Sequence, residues 1–305
     1  MENEKIQYLI DEIKGLKEEK NAIILVHNYQ RPEIYKVADF IGDSYGLSVE
    51  ASKTNARMII FCGVHFMAES AYILNPSKKV ILPAIGAGCP MADMVNAEDL
   101  RKLKASWRAP VVSYINTSAE TKAESDIICT SSNAIKIVNS LTDDRIIFVP
   151  DKNLANYITK YTSKEIIPWN GFCYVHTKFS HEELAKAKES LRDAKVIVHC
   201  ECPAEIRELA DHICSTSGMI EYAMNSDAKE FIIGTEIGMI EMLKLHVPGK
   251  TFYTAPPGST CVNMKKNSLE LVLEALKKEA PVITVPEEIR LKAKEALDRM
   301  LEVGR

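Results

Sequence analysis

The sequence predicts an α/β protein made of three tandem α/β units with parallel sheets, in a pseudo-threefold arrangement, each unit layered α/β/α. Short apolar runs alternate with helical patterns along the chain, which is typical of parallel strands joined by crossover helices. Four landmarks recur with one period, and each repeat ends in a turn followed by a cysteine. These three observations support the fold prediction.

The apolar runs have the length and composition of buried strands. Each contains four or five near-continuous β-branched or apolar residues, as in strands covered on both faces. Helical patterns lie between them: NAEDLRKLK has Asn96 as N-cap, and SHEELAKAKESLRD has Ser180 as cap and Glu183 completing a capping box. The runs are NAIILVHNYQ, RMIIFCGVH, KKVILP, PVVSYINT, RIIFVP, KVIVHC and EFIIGTE.

One period of about 86 residues relates the landmarks. The strand ends LVHNYQ, VSYINT and IVHCEC place His27, Tyr114 and His199 at spacings of 87 and 85 residues. The turns GDSYG, CTSSN and CSTSG repeat these spacings, and so does the strand that follows each turn. The last strand of each unit steps by 86 and 86 residues. The chain is therefore predicted to contain three equivalent units.

Unit boundaries follow from this period. The first unit spans residues 1–86, the second 87–170 and the third 171–261. Residues 262–305 carry helical patterns, and we expect these C-terminal helices to pack back on the first unit.

Composition and charge narrow the class of protein. The 305 residues are 46% hydrophobic and 26% charged, with a formal net charge of −4, so neither nucleic acid nor an anionic membrane is an expected partner. No apolar stretch approaches the roughly 20 residues of a membrane span, and the charged N-terminal segment does not have the pattern of a signal peptide. We expect a cytoplasmic protein whose eight cysteines are reduced thiols or metal ligands.

Three cysteines end equivalent repeats. The segments GAGCP, NGFCYVH and PPGSTCVN place Cys89, Cys173 and Cys261 after glycine-containing turns, 84 and 88 residues apart. Three units around one axis bring these loops together, and converging thiolates select zinc or an iron–sulfur cluster. A [4Fe–4S] cluster normally takes four cysteines, so three would leave one iron open as a Lewis acid suited to dehydration. Zinc remains the alternative, although no C-x-x-C knuckle is present.

Polar residues recur where the predicted strands end, which is where ligands bind in open α/β sheets. Residues two apart in an extended segment lie on one side, and hydroxyls at helix N-termini bind carboxylate or phosphate. Capping and core packing are the alternatives for single members. The predicted contacts are His27, Tyr114 and His199 at one repeat position, Tyr29, Asn116 and Glu201 two residues further on, and Ser44, Ser131 and Thr216 at a third, with His176 beside Cys173.

Other residues have less specific positions. Asp151 and Glu236 share one repeat position just after a strand, and we interpret both as structural. Lys265 and Lys266 follow Cys261, where a solvated face and attraction of a phosphate are both open. The remaining cysteines are interpreted as core residues (Cys62, Cys129 and Cys214) or as local or redox-sensitive residues (Cys200 and Cys202).

A set of motifs running in order from about residue 20 to 300 resembles the quinolinate synthase family: HNYQ, DFIGDS, FCGVHFMAE, CPMA, YINTSAE, CTSSNA, PDKNLA, GTEIGM and CVNMKKN. The resemblance implies three α/β domains and a [4Fe–4S] cluster with three cysteine ligands and one open iron site. It implies condensation of iminoaspartate with dihydroxyacetone phosphate to quinolinate, with loss of phosphate and water, in NAD biosynthesis. An aspartate-oxidising enzyme that supplies iminoaspartate is then a candidate partner.

The resemblance also implies roles for single residues. Burial is expected to tune the pKa of the Glu201 carboxyl towards a general-base role near neutral pH. The chain departs from the family pattern at Tyr174 and Cys200, where members often have proline. The implied cluster ligands are Cys89, Cys173 and Cys261; the substrate contacts are His27, Ser44, Tyr114, Asn116, Ser131, His199, Glu201 and Thr216; the acid/base residues are Tyr29, Tyr114 and Glu201.

Two other functions stay open at this point. One is a zinc-dependent hydrolase built on the same three cysteines, and the other is a non-catalytic redox-sensing module that uses Cys200 and Cys202. Metal analysis separates the first from the cluster enzyme, and a turnover assay separates the second.

Overall fold

The computed structural model describes residues 2–304 and confirms the predicted α/β class. The first unit contains α1 (Glu2–Glu19), β1 (Ala22–His27), α2 (Pro32–Tyr35), β2 (Phe40–Gly42), α3 (Ser44–Lys53), β3 (Met58–Cys62), α4 (His65–Leu74) and β4 (Lys79–Ile81). The second contains α5 (Ala97–Trp107), β5 (Val111–Tyr114), α6 (Ala119–Ala123), β6 (Ile127–Cys129), α7 (Ala134–Ser140), β7 (Arg145–Val149), α8 (Lys152–Ile158) and β8 (Glu165–Pro168).

The third unit repeats this element order, and two further helices follow it. The third unit contains α9 (His181–Ser190), β9 (Lys195–His199), α10 (Ala204–Glu208), β10 (His212–Cys214), α11 (Thr216–Asn225), β11 (Glu230–Gly234), α12 (Gly238–His246) and β12 (Thr251–Thr254). The C-terminal tail contains α13 (Leu269–Lys278) and α14 (Glu287–Gly304).

The three sheets share one topology. Their strand orders are β2-β1-β3-β4, β6-β5-β7-β8 and β10-β9-β11-β12, and the neighbouring strands pair in parallel. In each sheet the strand order reverses beside the first strand, which makes the carboxyl end of that strand a ligand-binding position. His27, Tyr114 and His199 are the last residues of β1, β5 and β9. The repeat in the sequence therefore correctly predicted that these three residues end equivalent strands.

Each sheet lies between a core shared by all three units and an outer core of its own. In β1, Leu25 faces the shared core while Ile24 and Val26 pack with α1 and α13, because successive residues of a strand point to opposite faces. The outer face of the second sheet packs with α5, and that of the third with α9 and α10. This arrangement gives each unit its three layers.

Predicted helix caps are confirmed at two positions. Asn96 accepts the Asp99 N–H at 2.9 Å at the start of α5, and Ser180 accepts the Glu183 N–H at 3.3 Å at the start of α9.

The two tail helices pack in different places. Helix α13 lies on α1 and β3 of the first unit, whereas α14 contacts α6, β6 and α7 of the second unit together with α4 of the first. The structure differs here from the expectation that the whole tail packs on the first unit. The reason is the apolar face of α14, which carries Ala293, Leu297 and Met300 into the shared core.

None of the helices within residues 2–304 combines the length and the apolar character that a membrane span requires.

Candidate functional site

One cavity lies where the three units meet, with about 700 Å³ of empty space including its opening to solvent. Its wall contains strand ends, helix starts and cysteines from all three repeats, so no single unit could form it. The structure brings together here every residue that the sequence pattern selected: His27, Tyr29, Ser44, Cys89, Tyr114, Asn116, Ser131, Cys173, His176, His199, Glu201, Thr216 and Cys261.

Three cysteine loops with one backbone geometry reach this cavity: the Cys89 loop (82–89), the Cys173 loop (169–173) and the Cys261 loop (255–261). In each unit, the helix that follows the third strand is tied to the loop by a backbone hydrogen bond to the carbonyl two residues before the cysteine. These bonds run from His65 N–H to the Ala87 carbonyl (2.8 Å), from Lys152 to Gly171 (2.9 Å) and from Ile237 to Ser259 (2.9 Å).

A 3₁₀ turn begins three residues after each cysteine, at Ala92, His176 and Met264. The N–H of that first residue lies near the cysteine sulfur in all three loops and opposes the rise of its pKa. N–H groups directed at a sulfur favour the thiolate, as they do at helix N-termini. Burial nevertheless raises the pKa of all three thiols, that of Cys89 to about 12. A bound cation would therefore be needed to hold them as thiolates.

Two neutral imidazoles occupy equivalent strand ends. His27 Nδ1 accepts the Tyr29 N–H at 3.2 Å, and His199 Nδ1 accepts the Glu201 N–H at 3.3 Å. Because Nδ1 is the acceptor, the proton of each neutral ring is on Nε2. Burial lowers the pKa of both histidines to about 3. Near neutral pH they are hydrogen-bond donors without charge.

Glu201 is the most densely contacted carboxylate of the cavity. The Tyr114 hydroxyl donates to Oε1 at 2.5 Å, and His176 Nδ1 lies 3.0 Å from Oε2. Burial opposes ionisation, but His176, His199 and the Tyr114 hydroxyl outweigh it and lower the pKa of Glu201 to about 2. The expectation that burial tunes this pKa towards neutrality is therefore wrong, because the neighbouring donors dominate.

A chain of hydrogen bonds joins Tyr29 to Glu201. The Tyr29 hydroxyl lies 2.6 Å from Thr235 Oγ1, and the same oxygen lies 2.8 Å from His176 Nε2, whose ring continues to Glu201. Burial raises the pKa of Tyr29 and Tyr114 well above the usual value, so both are neutral hydroxyls. Thr235 is 1% exposed, and the sequence analysis did not predict it as a residue of the site. Its position just after β11, at the strand end of a repeat, could have indicated it.

Hydroxyls of two predicted contacts are not used as helix caps. Ser44 and Thr216 are the first residues of α3 and α11, and the caps are the preceding residues, Asp43 and Ser215. The capping alternative therefore does not apply to Ser44 or Thr216. Thr216 Oγ1 instead accepts a hydrogen bond from Asn28 Nδ2 at 3.0 Å, which links the first and third units.

Asn116 presents an unpaired acceptor at this cavity. Its Oδ1 is buried and has no hydrogen-bond partner among residues 2–304, although Asn116 lines the cavity. Buried polar atoms are normally paired, so a ligand donor at this point is a natural partner.

Both lysines after Cys261 are already bonded to protein acceptors. Lys265 Nζ lies 3.2 Å from the Glu236 carboxylate, and Lys266 Nζ donates to the Gly86 carbonyl at 2.7 Å. The structure therefore gives no support for a phosphate contact by either residue.

Three cysteines, one histidine and one carboxylate bear on which metal could bind. Among residues 2–304, Cys173, His176 and Glu201 form a group whose ligand atoms lie within 4.8 Å of one another. Both nitrogens of His176, however, are hydrogen bonded, to Glu201 and to Thr235. In the same described part of the chain, the three cysteines do not form a group of that tightness.

Fold and cavity together define an α/β enzyme with a cysteine-rich candidate metal site at the junction of three parallel-sheet units. Residues 11–302 match the family model described as quinolinate synthetase A protein. The chain therefore belongs to the quinolinate synthase family, as the motif resemblance predicted.

Relatives with this name come from bacteria and archaea. The chain is 52% identical over 298 residues to the quinolinate synthase of Geobacter sp. (strain M21), covering 97% of this chain and 98% of the relative. It is 55% identical over 296 residues to quinolinate synthase 1 of Methanosarcina acetivorans, covering 97% of each. Identity to the quinolinate synthase of Alkaliphilus metalliredigens is 53% over 297 residues, covering 97% and 98%.

Proposed function

We propose that this enzyme condenses iminoaspartate with dihydroxyacetone phosphate to quinolinate, with loss of phosphate and water, in NAD biosynthesis. An aspartate-oxidising enzyme would supply the iminoaspartate. We place the reaction in the cytoplasm, the compartment in which eight unpaired cysteines stay reduced. The observation that supports the proposal most is the meeting of three cysteines and the polar strand-end residues in one cavity.

A [4Fe–4S] cluster on Cys89, Cys173 and Cys261 is the proposed cofactor, with one iron left open. The donor set fits this group, because the three sulfurs line one cavity and each lies near an N–H of its own 3₁₀ turn that favours the thiolate. A single zinc ion with sulfurs about 2.3 Å away would need them within about 4.6 Å of one another, and the three cysteines of residues 2–304 are not grouped so tightly. When bound, the cluster would supply a Lewis acid that polarises a leaving hydroxyl.

The neutral imidazoles and the hydroxyls would bind the anionic groups of the substrates. His27 and His199 each have Nε2–H as donor, and Ser44, Ser131 and Thr216 add hydroxyls around the same cavity. Hydrogen bonds to a charged acceptor are stronger than neutral ones, so uncharged donors suffice to hold carboxylates. Asn116 Oδ1, unpaired among the described residues, would accept from a substrate amine or hydroxyl.

Proton transfer is assigned to Tyr29, Tyr114 and Glu201. Glu201 is the ionised member near neutral pH, since its pKa is lowered to about 2, and Tyr29 and Tyr114 keep their protons. A proton taken at the cavity can move along the hydrogen-bonded chain Glu201, His176, Thr235 and Tyr29. Glu201 would therefore act as the base and Tyr29 as the acid, and the hydrogen-bonded chain would let them exchange protons without solvent.

The decisive test is turnover by protein purified without oxygen. Iminoaspartate and dihydroxyacetone phosphate should yield quinolinate, and the protein should contain iron and acid-labile sulfide. Cys89→Ser should lose both the cluster and the activity, because one of three ligands is gone. A variant that kept full iron content and turnover would show that the ligand assignment is wrong.

Metal content also decides between the alternative functions. Zinc without sulfide would favour the hydrolase. The redox module requires reactive thiols at Cys200 and Cys202, yet both are 0% exposed and burial raises their pKa, which counts against that alternative.

A further inference from the structure

Two buried carboxylates that the proposed chemistry leaves unused, Asp151 and Glu236, occupy the same repeat position. Both are 0% exposed. Each directly precedes the residue whose N–H ties the following helix to a cysteine loop. The first unit has Val64 at this position. The carboxylate is therefore an addition to two of three loops whose backbone contacts are otherwise the same.

Glu236 connects three segments around Cys261. Its Oε1 accepts the Cys261 N–H at 3.3 Å, and its Oε2 accepts the N–H of Gly238, at the start of α12, at 2.7 Å. Lys265 Nζ lies 3.2 Å from the same carboxylate and also donates to the Tyr29 carbonyl. One carboxylate thus ties the Cys261 loop to its helix and, through Lys265, to the strand end of the first unit.

Asp151 has a similar position beside Cys173. Its Oδ1 accepts the N–H groups of Asn153 and Leu154 in the first turn of α8, both at 2.8 Å. Its Oδ2 is buried without a partner of good geometry among residues 2–304. Burial raises the pKa of the Asp151 carboxyl well above its usual value, and the nearby Cys173 N–H opposes this shift. The backbone of Asp151 bridges to Gly171, so the residue lies against the Cys173 loop.

We propose that Glu236 and Asp151 are positioning residues that hold the Cys261 and Cys173 loops in a metal-ready geometry, whereas Cys89 is held without a carboxylate. The proposal rests on the proposed function in that it treats these cysteines as ligands. At Glu236, a carboxylate beside Lys265 binds a loop amide and a helix amide together, which restricts the loop before any metal arrives. Removing either carboxylate should loosen only the loop of its own cysteine.

Peptide-resolved alkylation of the reduced, metal-free, full-length chain tests this site by site. With limiting iodoacetamide, Glu236→Gln should raise the rate at Cys261 about tenfold, the effect expected for loss of one charged hydrogen bond, and leave Cys89 within about twofold. Asp151→Asn should do the same at Cys173. Lys265→Met should raise the alkylation rate at Cys261 less than Glu236→Gln does, because the Glu236 carboxylate still accepts the Cys261 N–H.

Matched variants separate positioning from general loosening. Glu241→Gln removes an exposed carboxylate of α12 that pairs with Lys244 and should leave all three rates unchanged. Glu236→Asp keeps the charge and should restore most of the protection at Cys261. A uniform rise at Cys89, Cys173 and Cys261 in Glu236→Gln, or no rise at Cys261, would overturn the proposal. If Glu236→Gln does not fold, the alkylation rates at Cys261 in Lys265→Met and Glu236→Asp test the same proposal.

Iron retention gives a second readout after anaerobic reconstitution. Glu236→Gln and Asp151→Asn should lose iron to a chelator about tenfold faster than the wild-type chain, and Glu241→Gln should not. Equal rates in all four proteins would count against the proposal. A wild-type chain that binds no iron would defeat the proposed function, while the alkylation pattern would still decide the positioning role.

Discussion

The strand end of the first unit and that of the third have the same geometry and opposite proton chemistry. In both, a histidine ends the first strand and its Nδ1 accepts the N–H two residues further on. The residue that supplies this N–H is Tyr29 in one unit and Glu201 in the other. Tyr29 keeps its proton, because burial raises its pKa, whereas the donors around Glu201 lower its pKa to about 2. The same backbone position thus carries a protonated hydroxyl in one unit and an ionised carboxylate in the other.

The largest expected effect comes from removing Glu201, the proposed base. Glu201→Gln keeps the shape of the side chain but cannot hold a negative charge between Tyr114 and His176. We expect kcat for quinolinate formation to fall by about 10²–10⁴-fold, the usual contribution of a general base. Iron and sulfide per chain should not change, and a steady-state assay with metal analysis on the same sample checks both.

The acid provides the comparison for that result. Tyr29→Phe, measured in the same assay, removes the hydroxyl next to Thr235 and should also lower kcat without loss of iron. Near-normal turnover of Glu201→Gln would contradict the assignment of opposite roles to the two strand ends.

A smaller effect, on the pH dependence of stability, is expected from the buried neutral histidines that the two strand ends share. Their pKa is about 3 in the folded chain and about 6.5 when unfolded. The unfolded state therefore binds more protons, so this contribution to stability is complete above pH 6.5 and is lost as the pH falls towards 3. Each histidine should lower the free energy of unfolding by about 1.4 kcal/mol per pH unit in that window. Urea unfolding of the metal-free chain between pH 6.5 and 5 measures the slope.

The two histidines should behave alike in this test. His27→Asn and His199→Asn should each reduce the slope by about 1.4 kcal/mol per pH unit, because each variant has one titrating imidazole fewer. A slope that is the same in the wild-type chain and in both variants would refute the neutral, buried state of both rings.

The smallest effect concerns a residue that belongs to neither strand end. The Tyr174 hydroxyl accepts the Val262 N–H at 3.1 Å and so links the segments that follow Cys173 and Cys261. Tyr174→Phe should lower the free energy of unfolding by about 1 kcal/mol, the usual net value of one hydrogen bond. Denaturant unfolding checks this against Tyr8→Phe, an exposed tyrosine; equal stability of the two variants would contradict the link.

The repeat in the sequence was enough to predict which residues meet. Strand ends and cysteine turns recur at nearly constant spacing, and equivalent backbone positions then converge on one cavity. Thr235 was missed because its residue type does not recur: Pro150 and Gly63 stand at the equivalent positions. Placement thus follows the repeated backbone, while residue type is free to change between units.

Two further properties depend on contacts that no local pattern contains. The pKa of Glu201 is decided by Tyr114, His176 and His199, which come from separate segments of the chain. The position of α14 is decided by which surface its apolar face fits, and that surface includes α6 and β6 of the second unit.

The shared core also sets an order of events during synthesis. Cys89 and Cys173 leave the ribosome before Cys261 has been made, and the apolar residues of α14, close to the end of the chain, complete the core on which all three sheets pack. The nascent chain therefore has two cysteines but no three-cysteine site. Under the proposed function, the cofactor can bind all three ligands only after Cys261 has been synthesised, so cofactor loading follows the synthesis of the third unit.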